Sequence, residues 1–282
     1  MVTGQRCMTV KTTNKPQIES HQELSVQVSL TGLSFLIKDL QKNEFVFFEA
    51  ISFSHPLPLE ALPEEIDKVY QKFHKLQQAF SKIVVIHHNK LFALVPEALF
   101  DKENSVHYLN HTAKTLTTDY IDFDTLDLGD MVNVYVPFTN VNNYLFEKYG
   151  SFTFQHHNTV FVNSILAQST MDDAVKMYVH CLGSTVDILV VKNKKVQLCN
   201  TFECSTPEDF IYYLLFVAEQ LQLNPEEFEL YLTGNISKEH AFYEIAYRYV
   251  RNVSFLRPTQ TTTTAEDITE NLYNTHYLLT HC

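Results

Sequence analysis

Glycine is scarce in this chain, with six residues in 282. That is about 2%, against a usual share of roughly 7%. A glycine-rich loop that cradles phosphates would use most of these residues, and neither GxGxxG nor GxxxxGKS/T occurs. The sequence therefore excludes the two common glycine-rich nucleotide-binding motifs.

Positive charge is also in short supply. The chain has 21 Lys and Arg against 33 Asp and Glu, a net charge of -12. A surface that binds DNA or RNA needs a basic face against the phosphates. We therefore expect no nucleic-acid partner.

Long apolar runs and paired cysteine motifs are missing as well. The apolar run from Tyr212 to Ala218 is far shorter than the ~20 residues that span a bilayer, and residues 1–20 have no apolar signal core. Five cysteines without a CxxC motif are typical of reduced thiols rather than of a disulfide framework. We predict a cytoplasmic protein without a membrane span.

The segment 174–203 reads as three short strands joined by two tight turns. Gly183-Ser184 and Lys192 to Lys195 interrupt runs rich in Val, Ile, Leu and Tyr, which favour strands. Thr206-Pro207 then begins a helix with a hydroxyl cap and a proline at the first helical position. A strand, a helix and a strand follow, which gives the order βββαβαβ.

The earlier part of the chain repeats this order. From Leu24 the run LSVQVSL alternates apolar and polar residues, as a half-buried strand does. The turns Thr31-Gly32 and Gln41-Lys42-Asn43-Glu44 then separate it from two further strands, and a helix begins at Pro63. We predict a hairpin over 82–95. The aspartate-rich segment 119–130 lacks the spacing of an EF-hand calcium loop, so we interpret it as a solvated loop.

The two parts together predict a duplicated βββαβαβα unit. The run VNVYVPFTNVNNYLFEKYGSFTF matches FELYLTGNISKEHAFYEIAYRYVRNVSF in the order strand, polar turn, helix, strand. We predict a disordered leader at 1–22, a first half at 23–170 with an insertion at about 82–130, and a second half at 171–282. A threonine-rich linker at Thr259–Thr264 and a C-terminal helix within Ala265–Cys282 complete the second half.

This duplication resembles the layout of the actin-like ATPase (ribonuclease-H-like) superfamily. The stretch VYVPFTNVNNYLFEKYGSFTFQHHNTVFVNSIL is similar to the corresponding region of pilus-assembly and cell-division actin homologues. The opening LSVQVSLTGLSFLI looks like an uncharacterised bacterial family assigned to that fold. The resemblance implies an α/β protein with two mixed sheets, flanked by helices and separated by a cleft.

In that superfamily the nucleotide lies in the cleft, held by the first turn of each meander and by a glycine pair after a late strand. Here the resemblance places ten residues at a possible nucleotide or ligand cleft: Thr31, Gly32, Ser34, His180, Gly183, Ser184, Thr185, Asp187, Gly234 and Asn235.

The superfamily's magnesium-positioning acids are missing from these turns. No acid occurs between Leu24 and Ile37, and His180 stands where the resemblance implies an acid in the second turn. Magnesium needs one or two carboxylates beside phosphate and water, so we expect no hydrolysis and no cofactor. We interpret the chain as a degenerate, non-catalytic actin-like module that binds a protein partner, and a homodimer is a possible form of that binding.

Two alternatives stay open. One is an ATP-binding phosphotransferase or ATPase whose magnesium ligands are Asp122, Asp124 or Asp187. The other is a different enzyme that uses His180 and Cys181. The pairs His87-His88 and His156-His157 predict no chelate, because adjacent residues on a strand point to opposite faces.

Overall fold

The computed structural model describes residues 21–110, 119–257, 262–264 and 272–282. Most of the predicted leader, at 1–20, lies outside the described residues. So do 259–261 of the predicted linker and 265–271 of the predicted C-terminal helix.

The described residues form fourteen strands and eight α-helices. The strands are β1 (Gln22–Ser29), β2 (Gly32–Asp39), β3 (Glu44–Ser52), β4 (Lys82–His88), β5 (Phe92–Pro96), β6 (Asp122–Thr125), β7 (Met131–Tyr135), β8 (Thr153–His156), β9 (Lys176–Leu182), β10 (Thr185–Lys192), β11 (Lys195–Glu203), β12 (Glu229–Gly234), β13 (Asn252–Phe255) and β14 (Thr263–Thr264). The helices are α1 (Leu62–Lys72), α2 (Ser105–Asn110), α3 (Thr139–Tyr149), α4 (His157–Gln168), α5 (Pro207–Gln220), α6 (Ala241–Tyr249), α7 (Leu272–Thr275) and α8 (Tyr277–Thr280).

Two sheets repeat one strand order, which confirms the predicted duplication. The first half has the order β14-β3-β2-β1-β4-β8, and the second half has β11-β10-β9-β12-β13. In each, an antiparallel meander is extended by two parallel strands. Strands β4 and β8 occupy in the first half the places that β12 and β13 occupy in the second.

Helices cover both faces of each sheet. Helices α1 and α3 bury Ile66, Val69 and Val141 against the outer face of the first sheet, and α5 and α6 bury Phe210 and Phe242 against the second. Helices α4 and α8 lie between the two sheets in a shared apolar cluster. The cluster between the sheets contains residues of both halves, such as Leu36 and Leu189, so the two halves pack against each other through apolar side chains.

The end of the chain returns to the first half. Strand β14 pairs in parallel with β3, with Thr263 opposite Glu44. Cys282 Sγ lies 3.2 Å from Ser25 Oγ on β1. The predicted C-terminal helix is, within the described residues, two short helices, α7 and α8.

The predicted hairpin over 82–95 is wrong. Strand β4 lies in the first sheet, parallel to β1 with Val85 opposite Val26, whereas β5 pairs with β7 in a separate sheet. The run from Ile83 to Ile86 is buried on both faces, as is typical of a central parallel strand. The apolar composition of 83–86 is compatible with a hairpin strand and with a central strand. Pairing with β1, which is distant in sequence, decides between the two.

The extra sheet also changes the predicted insertion. Strands β5, β7 and β6 form a three-stranded sheet, so the added segment follows β4 and includes β7. The run Val132–Phe138 is therefore not the counterpart of Glu229–Thr233. The aspartate-rich segment contains β6, where Asp122 is buried, while Asp127 and Asp130 are exposed.

The end of β12 comes very close to β9 at Gly234. This glycine has φ +91°, and a Cβ atom there would lie 2.1 Å from the Cys181 carbonyl oxygen. The next residue, Asn235, donates its backbone N–H to that same oxygen at 2.7 Å. Only glycine fits this contact.

We predict that Gly234→Ala lowers the free energy of unfolding by at least about 3 kcal/mol, because the clash is with main-chain atoms that cannot turn away. Gly183→Ala is the matched control, since its φ of +59° is also positive but no heavy atom lies closer than 4.0 Å. It should cost only about 1 kcal/mol. Urea unfolding of the two variants checks this, and equal losses would contradict the packing argument.

Candidate functional site

A cavity of about 440 Å³ opens between the β1–β2 turn and the β9–β10 turn. We call it the cleft cavity. Six of the ten predicted site residues line it: Thr31, Gly32, Ser34, Gly183, Ser184 and Asn235. The fold thus brings together turns from both halves at the place where the resemblance put a ligand. Their contact with a ligand stays a prediction.

The cleft cavity has no charged side chain of fixed sign among its described lining residues. Its lining includes hydroxyl groups, main chain and two histidines, His55 and His276. His276 comes from the C-terminal segment and stacks on Phe48, with ring centroids 4.6 Å apart. Burial lowers the pKa of His276 to about 4, so its ring is neutral near pH 7. The described lining therefore offers no carboxylate to a magnesium ion.

The other four predicted residues lie elsewhere. Gly234 packs on Cys181, and Thr185 donates its hydroxyl to the Leu182 carbonyl at 2.8 Å. His180 and Asp187 are buried between the two halves, outside the lining of the cleft cavity.

A group of buried polar side chains lies at that interface. We call His88, His157, His180 and Asp187 the histidine–aspartate cluster. His88 ends β4 and His157 begins α4 in the first half, whereas His180 and Asp187 face each other on β9 and β10 in the second. All four side chains are at most 4% exposed. Each half therefore supplies two members.

The Asp187 carboxylate is the centre of this cluster. Its Oδ1 accepts hydrogen bonds from His157 Nε2 at 2.9 Å and from Thr201 Oγ1 at 2.6 Å. Its Oδ2 accepts one from His180 Nδ1 at 3.0 Å. His88 Nε2 lies 3.5 Å from the same Oδ2 and makes no hydrogen bond to any described residue.

These donors decide the charge of Asp187. Burial alone raises the pKa of a carboxyl group, but the facing His157 and the hydrogen bonds from His157 and His180 outweigh it and hold the pKa of Asp187 well below its usual range. Burial lowers the pKa of His157 to about 4. The cluster thus contains an ionised carboxylate with neutral His157 as one donor.

Sequence reasoning missed this convergence. Strands β4 and β8 are parallel neighbours with His87 opposite His156, so both histidine pairs lie at the same edge of the sheet. His87 turns into the first half, where its Nε2 donates to Asn142 Oδ1 at 3.0 Å, and His88 turns to the interface. The feature of the sequence that could have indicated the cluster is that each of the two histidine pairs follows a predicted strand.

The three aspartates of the ATPase alternative do not form one group, because Asp187 lies apart from Asp122 and Asp124. Asp122 and Asp124 lie on β6 of the extra sheet, and Asp187 belongs to the histidine–aspartate cluster. Asp124 accepts hydrogen bonds from the His156 N–H, Thr159 Oγ1 and Tyr135 OH. None of the three aspartates lines the cleft cavity.

The pair His180 and Cys181 is also separated. Cys181 is 2% exposed and packs in the second-half core, on the face of β9 opposite to His180. Burial raises the pKa of the Cys181 thiol, which keeps it protonated and a poor nucleophile.

The fold and the cleft define the class of protein: a duplicated actin-like ATPase fold. A crystal structure from Bacteroides thetaiotaomicron, of a protein with actin-like ATPase fold and unknown function, is 23% identical, with a TM-score of 0.76 over 93% of this chain and 96% of that chain. A PilM-PilN type IV pilus biogenesis complex matches at 13% identity and a TM-score of 0.57, over 94% and 97%.

The family is equally clear. Residues 11–253 match the family described as "Protein of unknown function (DUF3822)", and the chain belongs to that family. No curated protein matches this chain significantly. Within the part of the chain that the structure describes, none of the helices has the length and apolar character needed to cross a bilayer.

We predict that Asp187→Ala lowers the free energy of unfolding by about 3 kcal/mol or more, because at least two buried donors lose their acceptor. Asp127→Ala, at an exposed aspartate, should change it by no more than about 0.5 kcal/mol. Urea unfolding in the presence of a chelator measures both. An Asp187 variant as stable as the wild type would contradict the described network.

Proposed function

We propose that this protein is a non-catalytic actin-like module that acts by binding another protein. The observation that carries the proposal is the cleft cavity, whose described lining has hydroxyl and amide groups but no carboxylate. In phosphoryl transfer the protein contributes mainly by positioning and by holding the metal ion. A cleft without acids has lost the main protein anchors of that ion.

The structural neighbours support a binding role. The pilus biogenesis structure is, by its description, a complex of PilM with PilN, so a chain with this fold is found bound to a protein partner. At 13% identity the likeness concerns the fold, and the partner of the present chain is a matter for experiment. The proposal includes a cytoplasmic location, no nucleic-acid partner and no cofactor.

We predict that ATP with magnesium gives no saturable heat in a calorimetric titration and no phosphate release above a protein-free blank. The physical reason is the missing carboxylate anchor in the cleft cavity. An actin-like ATPase measured in parallel serves as the positive control.

Micromolar binding with phosphate release would overturn this proposal in favour of the ATPase alternative. Asp124→Asn and Asp187→Asn would then identify the metal ligand, because only the variant that removes a true ligand should abolish release while keeping its fold. Binding without phosphate release would leave the module non-catalytic but assign a nucleotide to the cleft cavity.

The second half carries an exposed aromatic surface that fits a protein contact. On α5 the stretch 210–218 has no charged residue, and Tyr212 and Phe216 are 61% and 40% exposed. Their rings stack with centroids 6.1 Å apart. The exposed acids Glu208 and Glu219 border this aromatic pair on the same helix face, and aromatic side chains inside a charged rim are typical of the centre of a protein interface. We therefore place the homodimer contact on this face.

We predict that sedimentation equilibrium over a concentration series shows a monomer–dimer equilibrium. The double variant Tyr212→Ser/Phe216→Ser should raise the dissociation constant at least about tenfold, since exposed aromatic residues dominate many interfaces. Leu99→Ser, at a side chain 70% exposed outside this face, is the control and should change nothing. A wild-type monomer at every concentration would contradict the homodimer.

A further inference from the structure

The histidine–aspartate cluster has a second property that its hydrogen bonds do not explain. One atom from each of His88, His180 and Asp187 lies within 4.8 Å of the other two. His88 Nε2 is buried and without a hydrogen-bond partner among the described residues, and it points at Asp187 Oδ2 from 3.5 Å. Its 3.5 Å contact with the Asp187 carboxylate is longer than an ordinary hydrogen bond, and buried polar atoms are nearly always satisfied, so a closer partner would stabilise this nitrogen.

The two contacts of Asp187 Oδ2 suit a tetrahedral ion. Zinc binds imidazole nitrogen and carboxylate oxygen at about 2.0–2.2 Å, which places neighbouring ligand atoms about 3.3–3.5 Å apart in a tetrahedron. The Asp187 Oδ2 atom lies 3.0 Å from His180 Nδ1 and 3.5 Å from His88 Nε2. Small side-chain shifts, with the ring proton of His180 moved from Nδ1 to Nε2 so that Nδ1 has a free lone pair, therefore convert the present contacts into coordination bonds.

The surroundings hold the carboxylate in the orientation that coordination requires. His157 Nε2 and Thr201 Oγ1 both donate to Oδ1, which leaves Oδ2 facing His88 and His180. Outer hydrogen bonds of this kind fix the ligand geometry at protein metal sites. The ring of His157 also stacks on that of His88, with centroids 3.9 Å apart, and limits its rotation.

We infer that the cluster is a zinc site in which His88, His180 and Asp187 are the three protein ligands and water takes the fourth position. Two imidazoles and one carboxylate are donors that both zinc and iron(II) accept, and the tetrahedral spacing of the Asp187 contacts favours zinc. The cluster has neither the several carboxylates and carbonyls of a calcium site nor the phosphate-facing position of a magnesium site. The inference does not depend on the proposed protein-binding function.

The position of the ion gives it a structural role. His88 belongs to the first half, and His180 and Asp187 belong to the second. A bound zinc ion therefore cross-links the two halves at the interface where α4 and the C-terminal segment pack. It stabilises the folded chain by mass action, because the unfolded chain has no assembled site.

The test uses the full chain without a histidine tag, stripped with a chelator, dialysed and titrated with zinc chloride. Plasma mass spectrometry after gel filtration should find one zinc ion per chain, and zinc should raise the Tm. Loss of a residue that only orients a metal ligand weakens metal binding by about 10- to 100-fold. Because His88 and His180 are the ligands themselves, His88→Gln and His180→Gln should each weaken zinc binding by more than that.

His87→Gln is the matched control. His87 is the neighbouring residue and equally buried, but its Nε2 bonds to Asn142 and does not face the cluster. This variant should keep stoichiometric zinc. Circular dichroism of all variants checks that each is folded.

The visible absorption spectrum of the cobalt-substituted wild type tests the coordination geometry without relying on any variant being folded. Cobalt(II) in the cluster should show the intense visible bands of tetrahedral coordination, and zinc should displace them. A pale octahedral spectrum, no zinc retained after gel filtration, or unchanged binding in His88→Gln would each overturn the inference.

Discussion

An ionised carboxylate buried between two sheets is stable only if donors surround it, and Asp187 imposes that requirement on this fold. Its carboxylate oxygens accept hydrogen bonds from His180 and Thr201 of its own half and from His157 of the other half. The relative placement of the two halves is therefore tied to one side chain. A shift of either sheet would separate the Asp187 carboxylate from the His157 N–H, and both groups are buried.

The same interface explains how the cleft cavity and the cluster differ in character. The cleft cavity lies at the turns, where Ser29 and Thr31 bond to each other and to nearby main chain, and its described lining mixes hydroxyl groups with apolar side chains such as Leu33 and Phe53. The cluster lies deeper, at the ends of β4 and β8, and concentrates the titratable groups. Among the described residues, the lining of the cleft cavity offers no carboxylate, whereas the cluster contains one carboxylate and three imidazoles.

The sequence predicted the duplicated architecture because both meanders are bounded by local turn signals, such as Gly183-Ser184 and Asn43-Glu44. It failed for β4, since membership of a sheet depends on pairing with β1, far away in the chain. The cleft residues Thr31 and Gly183 were predictable because each sits in a recognisable turn. The histidine–aspartate cluster was not, because it combines His88 with residues of a different half that no local pattern connects.

The return of the chain end to the first half has a consequence for how the protein folds. Strand β14 extends a sheet that begins at Gln22, and Cys282 contacts Ser25 across 257 positions of sequence. Contacts of such separation close slowly, because the entropy of a long loop is lost before they form. During synthesis the edge strand β3 can therefore gain its pairing at Glu44 and Phe45 only after residues 263–264 have been made.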